Sequence, residues 1–238
     1  MNPTKKNIYN VTTLWKTSGE TFAGYSADID FELSYIKNSE WPNKLWVKPA
    51  FTTPNFKTIS NEMRSNPDLT FSYFRKKVEK PLDENSLILK STLYGMNLPL
   101  QNKFSVGKTV TLKRVENLDM ALAWSEAFYS AFRYRITPNT IEKTKKYFAF
   151  YGAYEGEKII GTVLLFITDK TAGIHSLGIV HSERKKGHAT AIMKLILNKA
   201  LDLNCNLASL QSSKMGKNIY LSMGFQIDFL MDNYRIKL

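Results

Sequence analysis

The stretch from Gly173 to Ala200 constrains this chain more than any other. Gly173 to Val180 is apolar and reads as a strand. His181 to Lys186 is polar and basic, with Arg184, Lys185 and Lys186 in a row. After Gly187, residues Ala189, Ile192, Met193, Ile196, Leu197 and Ala200 recur at i, i+3, i+4 and i+7, which predicts a long amphipathic helix. The first turn of a helix exposes N–H groups that have no intrahelical acceptor, and it carries the positive end of the dipole. Glycine allows close approach of a ligand to the backbone, and Ala189 keeps the first turn uncluttered. A strand, a basic glycine loop and a helix start therefore make a site for phosphate, and a pyrophosphate suits three adjacent cations.

The rest of the chain divides near Leu98 to Gly107, which predicts an α+β domain over 1–107 and a second domain over 108–238. In the first part, Phe31 to Ile36, Leu45 to Val47 and Leu69 to Tyr73 read as strands. Trp41-Pro42-Asn43 reads as a turn, and Lys57 to Ser65 and Ser86 to Leu93 read as helices. In the second part the expected order is a strand at Val110 to Val115, a helix capped by Asp119 with Ala121, Trp124, Phe128 and Phe132 on one face, and a short helix from Pro138. A hairpin turned by Gly156, the strand–loop–helix above, and a strand at Leu207 to Leu210 follow. A helix from Lys214 to Met223 stopped by Gly224 and two strands, Phe225 to Phe229 and Tyr234 to Leu238, close the chain.

Composition narrows the function classes. With 33 Lys and Arg against 21 Asp and Glu the net charge is +12, which favours an anionic partner such as a polyanionic cofactor or nucleic acid. No recognition-helix, zinc-finger or aromatic RNA-binding motif accompanies the charge, so nucleic acid is the weaker choice. The single Cys205 excludes an intramolecular disulfide and zinc sites built on several thiolates. No His-x-x-x-His or Cys-x-x-Cys occurs, so no metal site is expected from spacing. No apolar run approaches the roughly 20 residues of a membrane helix, and the first residues carry no secretory signal, so a cytoplasmic protein without a membrane partner is expected.

Arg184-x-x-Gly187-x-Ala189 resembles the acyl-CoA signature of the GNAT acyltransferase superfamily, and Ile219-Tyr220-Leu221-Ser222-Met223-Gly224-Phe225 resembles its second landmark, Leu-Tyr-x-x-x-Gly-Phe. Order and spacing match, over about the last 130 residues. The sequence departs at Lys185, where a glycine is usual, at His188, where an aliphatic residue is usual, and at His181-Ser182, where a proline often stands. None of these changes removes a backbone N–H.

The resemblance implies an α/β (α+β) GNAT fold: a mixed, mostly antiparallel sheet with two splayed parallel strands, flanked by helices, with a smaller α+β domain before it that is either a degenerate GNAT-like half or an unrelated α+β cap. It also implies an N-acyltransferase using acetyl-CoA as donor and an amine as acceptor. The pyrophosphate would rest on Arg184, Lys185, Lys186, Gly187, His188, Ala189 and Thr190. Backbone groups of Leu177 and Ile179 would pair with the pantetheine arm, and the N–H of Ile179 or its neighbour would polarise the thioester carbonyl. Gly178 would permit the irregularity that opens the strands. Ser213 either bonds pantetheine or caps the following helix, and Lys217 reaches a phosphate or stays in solvent. Tyr220 either protonates the leaving thiolate or packs beside Phe225. His175 is either the base or a proton relay or a structural strand residue, and Glu126 and a water relay stand beside it as candidates for the base. The alternatives from other classes are a non-catalytic acyl-CoA-sensing module and a basic nucleic-acid-binding protein. The acceptor amine and the choice between monomer and homodimer are not readable.

Overall fold

The computed structural model describes residues 1–48, 50, 52–107 and 109–237. In chain order the elements are α1 (Pro3–Thr21), β1 (Tyr25–Ala27), β2 (Phe31–Ser34), β3 (Lys44–Val47), α2 (Phe56–Ser65), β4 (Thr70–Arg75), β5 (Leu87–Pro99), β6 (Thr111–Arg114), α3 (Leu118–Phe132), α4 (Pro138–Thr144), β7 (Ala149–Glu155), β8 (Lys158–Thr168), β9 (Thr171–Ile179), α5 (His188–Asp202), β10 (Leu207–Ser212), α6 (Lys217–Ser222) and β11 (Gln226–Ile236). They form two compact units. One holds Met1–Asn97 together with Gln211–Leu238, and the other holds Leu98–Leu210. The segment after Gln211 thus packs with the N-terminal residues, a grouping different from the sequence division at 107.

In the first unit the strand order is β1-β2-β3-β4-β11-β5. All pairs are antiparallel except β3 with β4, which α2 links. α1 starts where Pro3 sits at its first position and the Asn2 side chain accepts the Lys5 N–H at 2.9 Å. Its buried face mixes Ile8, Val11, Leu14 and Trp15 with Asn7, Asn10 and Ser18. That admixture hides the apolar stripe, and the sequence reading missed this helix. Trp15 meets Trp46 at 5.4 Å and Phe74 at 6.4 Å between ring centroids, and Phe74 meets Phe229 at 5.9 Å. Phe31, Leu45, Ile59, Met63, Phe71 and Tyr234 form a separate core cluster with α2, on the other face of β4 from Phe74.

Two expectations fail in this unit. Ser86 to Leu93 is not helical but lies largely in β5, because ten residues of β5 pair with β11. Ladder pairing outweighs local propensity, and Leu89 and Ile88 stay 41% exposed rather than forming a helix face. The two closing strands are one strand, β11, and Leu238 lies outside the described residues. Asp232-Asn233 reads as a break by composition. In the fold, Asp232 is fully buried. It accepts from Arg75 Nε at 2.6 Å and from the Thr92 hydroxyl at 2.6 Å. Asn233 accepts from Ser72 and Lys44, and a register shift follows it.

In the second unit the order is β10-β9-β8-β7-β6, with β10 and β9 parallel and the other pairs antiparallel. Ile160 to Phe166 of β8 is buried without a break, the pattern of a strand covered on both faces. The covers are α3 and α5. Phe150 meets Trp124 of α3 edge-on at 5.1 Å, while Lys199 of α5 sits 5.3 Å from the Tyr151 ring. Successive strand residues point to opposite faces, so the helices take opposite sides of the sheet. α3 is capped by Asn117, whose side chain accepts the Met120 N–H at 3.0 Å, not by Asp119 as expected. Asp119 lies two residues on, within the first turn, where a carboxylate still favours the dipole.

Candidate functional site

The parallel strands β9 and β10 pair over three residues only: Leu207 with Thr171, Ala208 with Ala172 and Ser209 with Gly173. Beyond Gly173, β9 runs on to Ile179 without a further β10 partner among the described residues, so its flank opens where Leu177 and Ile179 lie. On its other side β9 pairs with β8 through a bulge. Thr162 faces Gly178 and Leu164 faces His175, leaving Ser176 and Leu177 opposite one residue. Ser176 takes φ 54, and its carbonyl accepts the Thr162 hydroxyl at 2.9 Å. The irregularity therefore sits before Gly178. What Gly178 permits is helix approach: a Cβ there would stand 2.4 Å from the Phe132 ring and 2.7 Å from Ala131 Cβ.

β9 leads through a 3-10 turn at His181–Glu183 into the basic loop. The Arg184 guanidinium donates to the Ala131 carbonyl at 2.7 Å and to the Ile179 carbonyl at 3.4 Å, tying the loop to the end of α3 and to β9. Glu183, 4% exposed, takes Lys158 at 2.6 Å and Lys186 at 2.8 Å. Hydrogen bonds from those ammonium groups pull its carboxyl down to about 2. Lys185 (φ 62) and Gly187 (φ 79) are both left-handed, and both are exposed. This conformation costs Gly187 nothing and would strain a β-branched residue. Gly187 caps α5, and no side chain bonds the N–H groups of its first turn. Those groups at His188, Ala189 and Thr190 have no acceptor inside the helix. An αL glycine, a 15-residue helix without a side-chain cap and exposed lysines bring N–H donors and positive charge together at the start of α5.

His188 opens α5 with its ring 2% exposed, and Ala189 and Thr190 are part-buried beside it. His175 is part-buried on β9, and desolvation pushes its pKa down to about 4. It is therefore neutral at physiological pH. The sign of its effect on stability follows. The unfolded imidazole titrates near the ordinary 6.5, so stability is full above pH 6.5 and falls as the pH drops towards 4. Because the side chain is part-exposed, screening trims the effect to about 2 kcal/mol. Melting curves between neutral pH and pH 4 should show this loss, and His175→Phe should flatten it. An unchanged slope in the variant would assign the acid sensitivity elsewhere.

Glu126 on α3 accepts from Arg135 at 2.6 and 3.3 Å in an exposed ion pair. Ser213, Lys217 and Tyr220 lie in the segment that packs with the N-terminal unit. The Ser213 hydroxyl accepts the Gly216 N–H at 3.3 Å and its carbonyl accepts the Lys217 N–H at 3.1 Å, which shapes the turn into α6. Lys217 Nζ stands 4.9 Å from the Tyr94 ring. α6 is shorter than expected and ends before Gly224, which takes φ 95. Tyr220 packs edge-on against Phe225 at 5.8 Å, and burial pushes its hydroxyl up to about 12. The bulge residue Ser176 and the buried Glu183 went unrecognised in the sequence. Neither has a local signal, since a serine in a strand and a glutamate beside an arginine are ordinary.

Residues 112–225 match the family described as Acetyltransferase (GNAT) family. These residues form a GNAT acetyltransferase domain. No protein of curated function matches the sequence. Solved structures share the GNAT fold over most of the chain. A GCN5-related N-acetyltransferase from Kribbella flavida is 12% identical with a TM-score of 0.67, covering 98% of this chain and 96% of that one. A putative GNAT-family acetyltransferase from Novosphingobium aromaticivorans is 10% identical with a TM-score of 0.65 over the whole of both chains. A tandem GNAT protein from the clavulanic acid biosynthesis pathway is 11% identical with a TM-score of 0.60, covering 86% of this chain and 77% of that one. No helix among the described residues is long and apolar enough to cross a membrane.

Proposed function

We propose that this protein is an N-acetyltransferase that uses acetyl-CoA and a primary amine. The observation that carries the reading is the uncapped start of α5 behind left-handed Gly187, placed in a GNAT domain at the end of a strand whose flank is open. Lys185, Lys186 and the N–H groups of Gly187, His188, Ala189 and Thr190 hold the pyrophosphate, and Arg184 braces the loop through its bonds to Ala131 and Ile179. Leu177 and Ile179 offer backbone groups to the pantetheine amides, and Ser213 keeps the turn before α6. When bound, acetyl-CoA supplies an acetyl thioester open to direct attack by the amine. The N–H of Ile179 polarises the thioester carbonyl. Tyr220, with its pKa near 12, stays protonated at neutral pH and gives its proton to the leaving sulfur. His175, neutral in its part-buried place, takes part as an acceptor in a water relay. With a conjugate acid near 4 it is too weak to hold an ammonium proton by itself. The chain reads as two GNAT-like halves, 1–107 and 108–238, the first without a cofactor loop and contributing to acceptor choice. Such an enzyme works where acyl-CoA is made, in the cytoplasm, as monomer or homodimer.

Calorimetric titration with acetyl-CoA and CoA, followed by thiol release with a panel of amines, tests the reading. Micromolar binding and amine-dependent thiol release support it. Binding without transfer to any amine leaves the acyl-CoA-sensing alternative, and no binding at all rejects both. Tyr220→Phe should lower kcat by roughly 10²-fold while the acetyl-CoA Kd stays put. A kcat within about twofold of the parent would confine Tyr220 to packing against Phe225.

A further inference from the structure

His188 is an anomaly in this fold. Its ring is buried, and neither Nδ1 nor Nε2 has a hydrogen-bond partner. A buried polar group left unpaired costs stability, and a native structure that keeps one calls for an unseen partner such as an ion. The surroundings name the partner's chemistry. Glu155 closes β7 at the hairpin, Glu183 ends the 3-10 turn, and His188 opens α5. One ligand atom from each lies within 4.8 Å of the other two. Glu183 Oε2 stands 3.9 Å from His188 Nε2. A tetrahedral zinc site with bonds of about 2.0–2.1 Å spaces its ligands roughly 3.3 Å apart, so small side-chain rotations close the triad around an ion.

We propose that Glu155, Glu183 and His188 form a binding site for a divalent transition-metal ion of the zinc type. One imidazole and two carboxylates suit zinc and its neighbours better than magnesium or calcium, which prefer oxygen alone. Two carboxylates balance the charge of the ion. Lys158 and Lys186 now hold the oxygens of Glu183. Their side chains are 64% and 53% exposed and swing into solvent when the ion takes their place. The ion would clamp the β7–β8 hairpin to the loop and to the first residue of α5. Glu183 and His188 flank the basic loop, while Glu155 comes from the distant β7–β8 hairpin of the same Leu98–Leu210 unit, so no compact ligand spacing marks the triad in the sequence. The site stands whether or not the protein transfers acetyl groups.

The test uses the untagged full chain, stripped with chelator and without any CoA. Calorimetry with Zn²⁺ should show one ion per chain, and Co²⁺ should give a visible d–d absorption band. Zn²⁺ should raise the melting temperature of the parent. Glu155→Gln, an exposed residue outside the loop, should weaken binding by at least about tenfold. His188→Phe replaces an unbonded ring by an apolar one of similar shape, so it should fold without the ion and lose the Co²⁺ band. No stoichiometric uptake by the parent would overturn the proposal, as would equal binding by the parent and both variants.

Discussion

A Gly187→Asp variant should fold as the parent does and lose acetyl-CoA and CoA binding by roughly 10²–10³-fold. Gly187 takes φ 79 at the cap of α5, where an aspartate is among the few side chains that tolerate the left-handed region. Its carboxylate also favours a helix start, so the strain of about 1 kcal/mol and the cap gain of about 1 kcal/mol nearly cancel in stability. The same carboxylate stands where a pyrophosphate would sit. Two like unit charges 4 Å apart repel by about 4 kcal/mol at an effective dielectric near 20, which is the stated loss. Parallel melting and titration of the two proteins separates charge from unfolding. Unchanged binding by a folded variant would move the pyrophosphate away from this loop, and the function proposed here with it.

Asp232→Ala should destabilise the protein by about 3–5 kcal/mol, read as a shift in a denaturant midpoint. Asp232 is 0% exposed and Arg75 6% exposed, and their contact is 2.6 Å. The Thr92 hydroxyl donates a hydrogen bond to the second oxygen of Asp232. Removing the carboxylate leaves a buried guanidinium uncompensated, which costs more than the pair itself contributes. A double variant, Arg75→Met with Asp232→Leu, should recover most of the loss. A single-variant loss under about 1 kcal/mol would mean that water or another group takes over the arginine. The consequence reaches function through the chain, because β11 begins just after the α6 segment that carries Tyr220.

Legibility in the sequence tracked locality. The loop from Arg184 to Ala189 announced itself because a strand, an αL glycine and an amphipathic helix are each written in adjacent residues, and the structure keeps all three. β7, β8 and the Gly156 turn were readable for the same reason. β5 was misread because its alternation is weak at its exposed start and its partner β11 lies more than a hundred residues away. α1 was missed because its buried face uses asparagines whose partners are distant: Asn7 donates to the Met96 carbonyl at 3.0 Å. By itself, then, the sequence determined the basic glycine loop, the helix behind it and the order of elements around them, since these depend on propensity, spacing and local charge. Only the tertiary structure decided that residues after Gln211 pack with the N-terminal unit, that Asp232 belongs inside a strand, and that Glu155, Glu183 and His188 converge. Those outcomes rest on partners far apart in the chain, and pairing and burial between distant residues leave no mark in local composition.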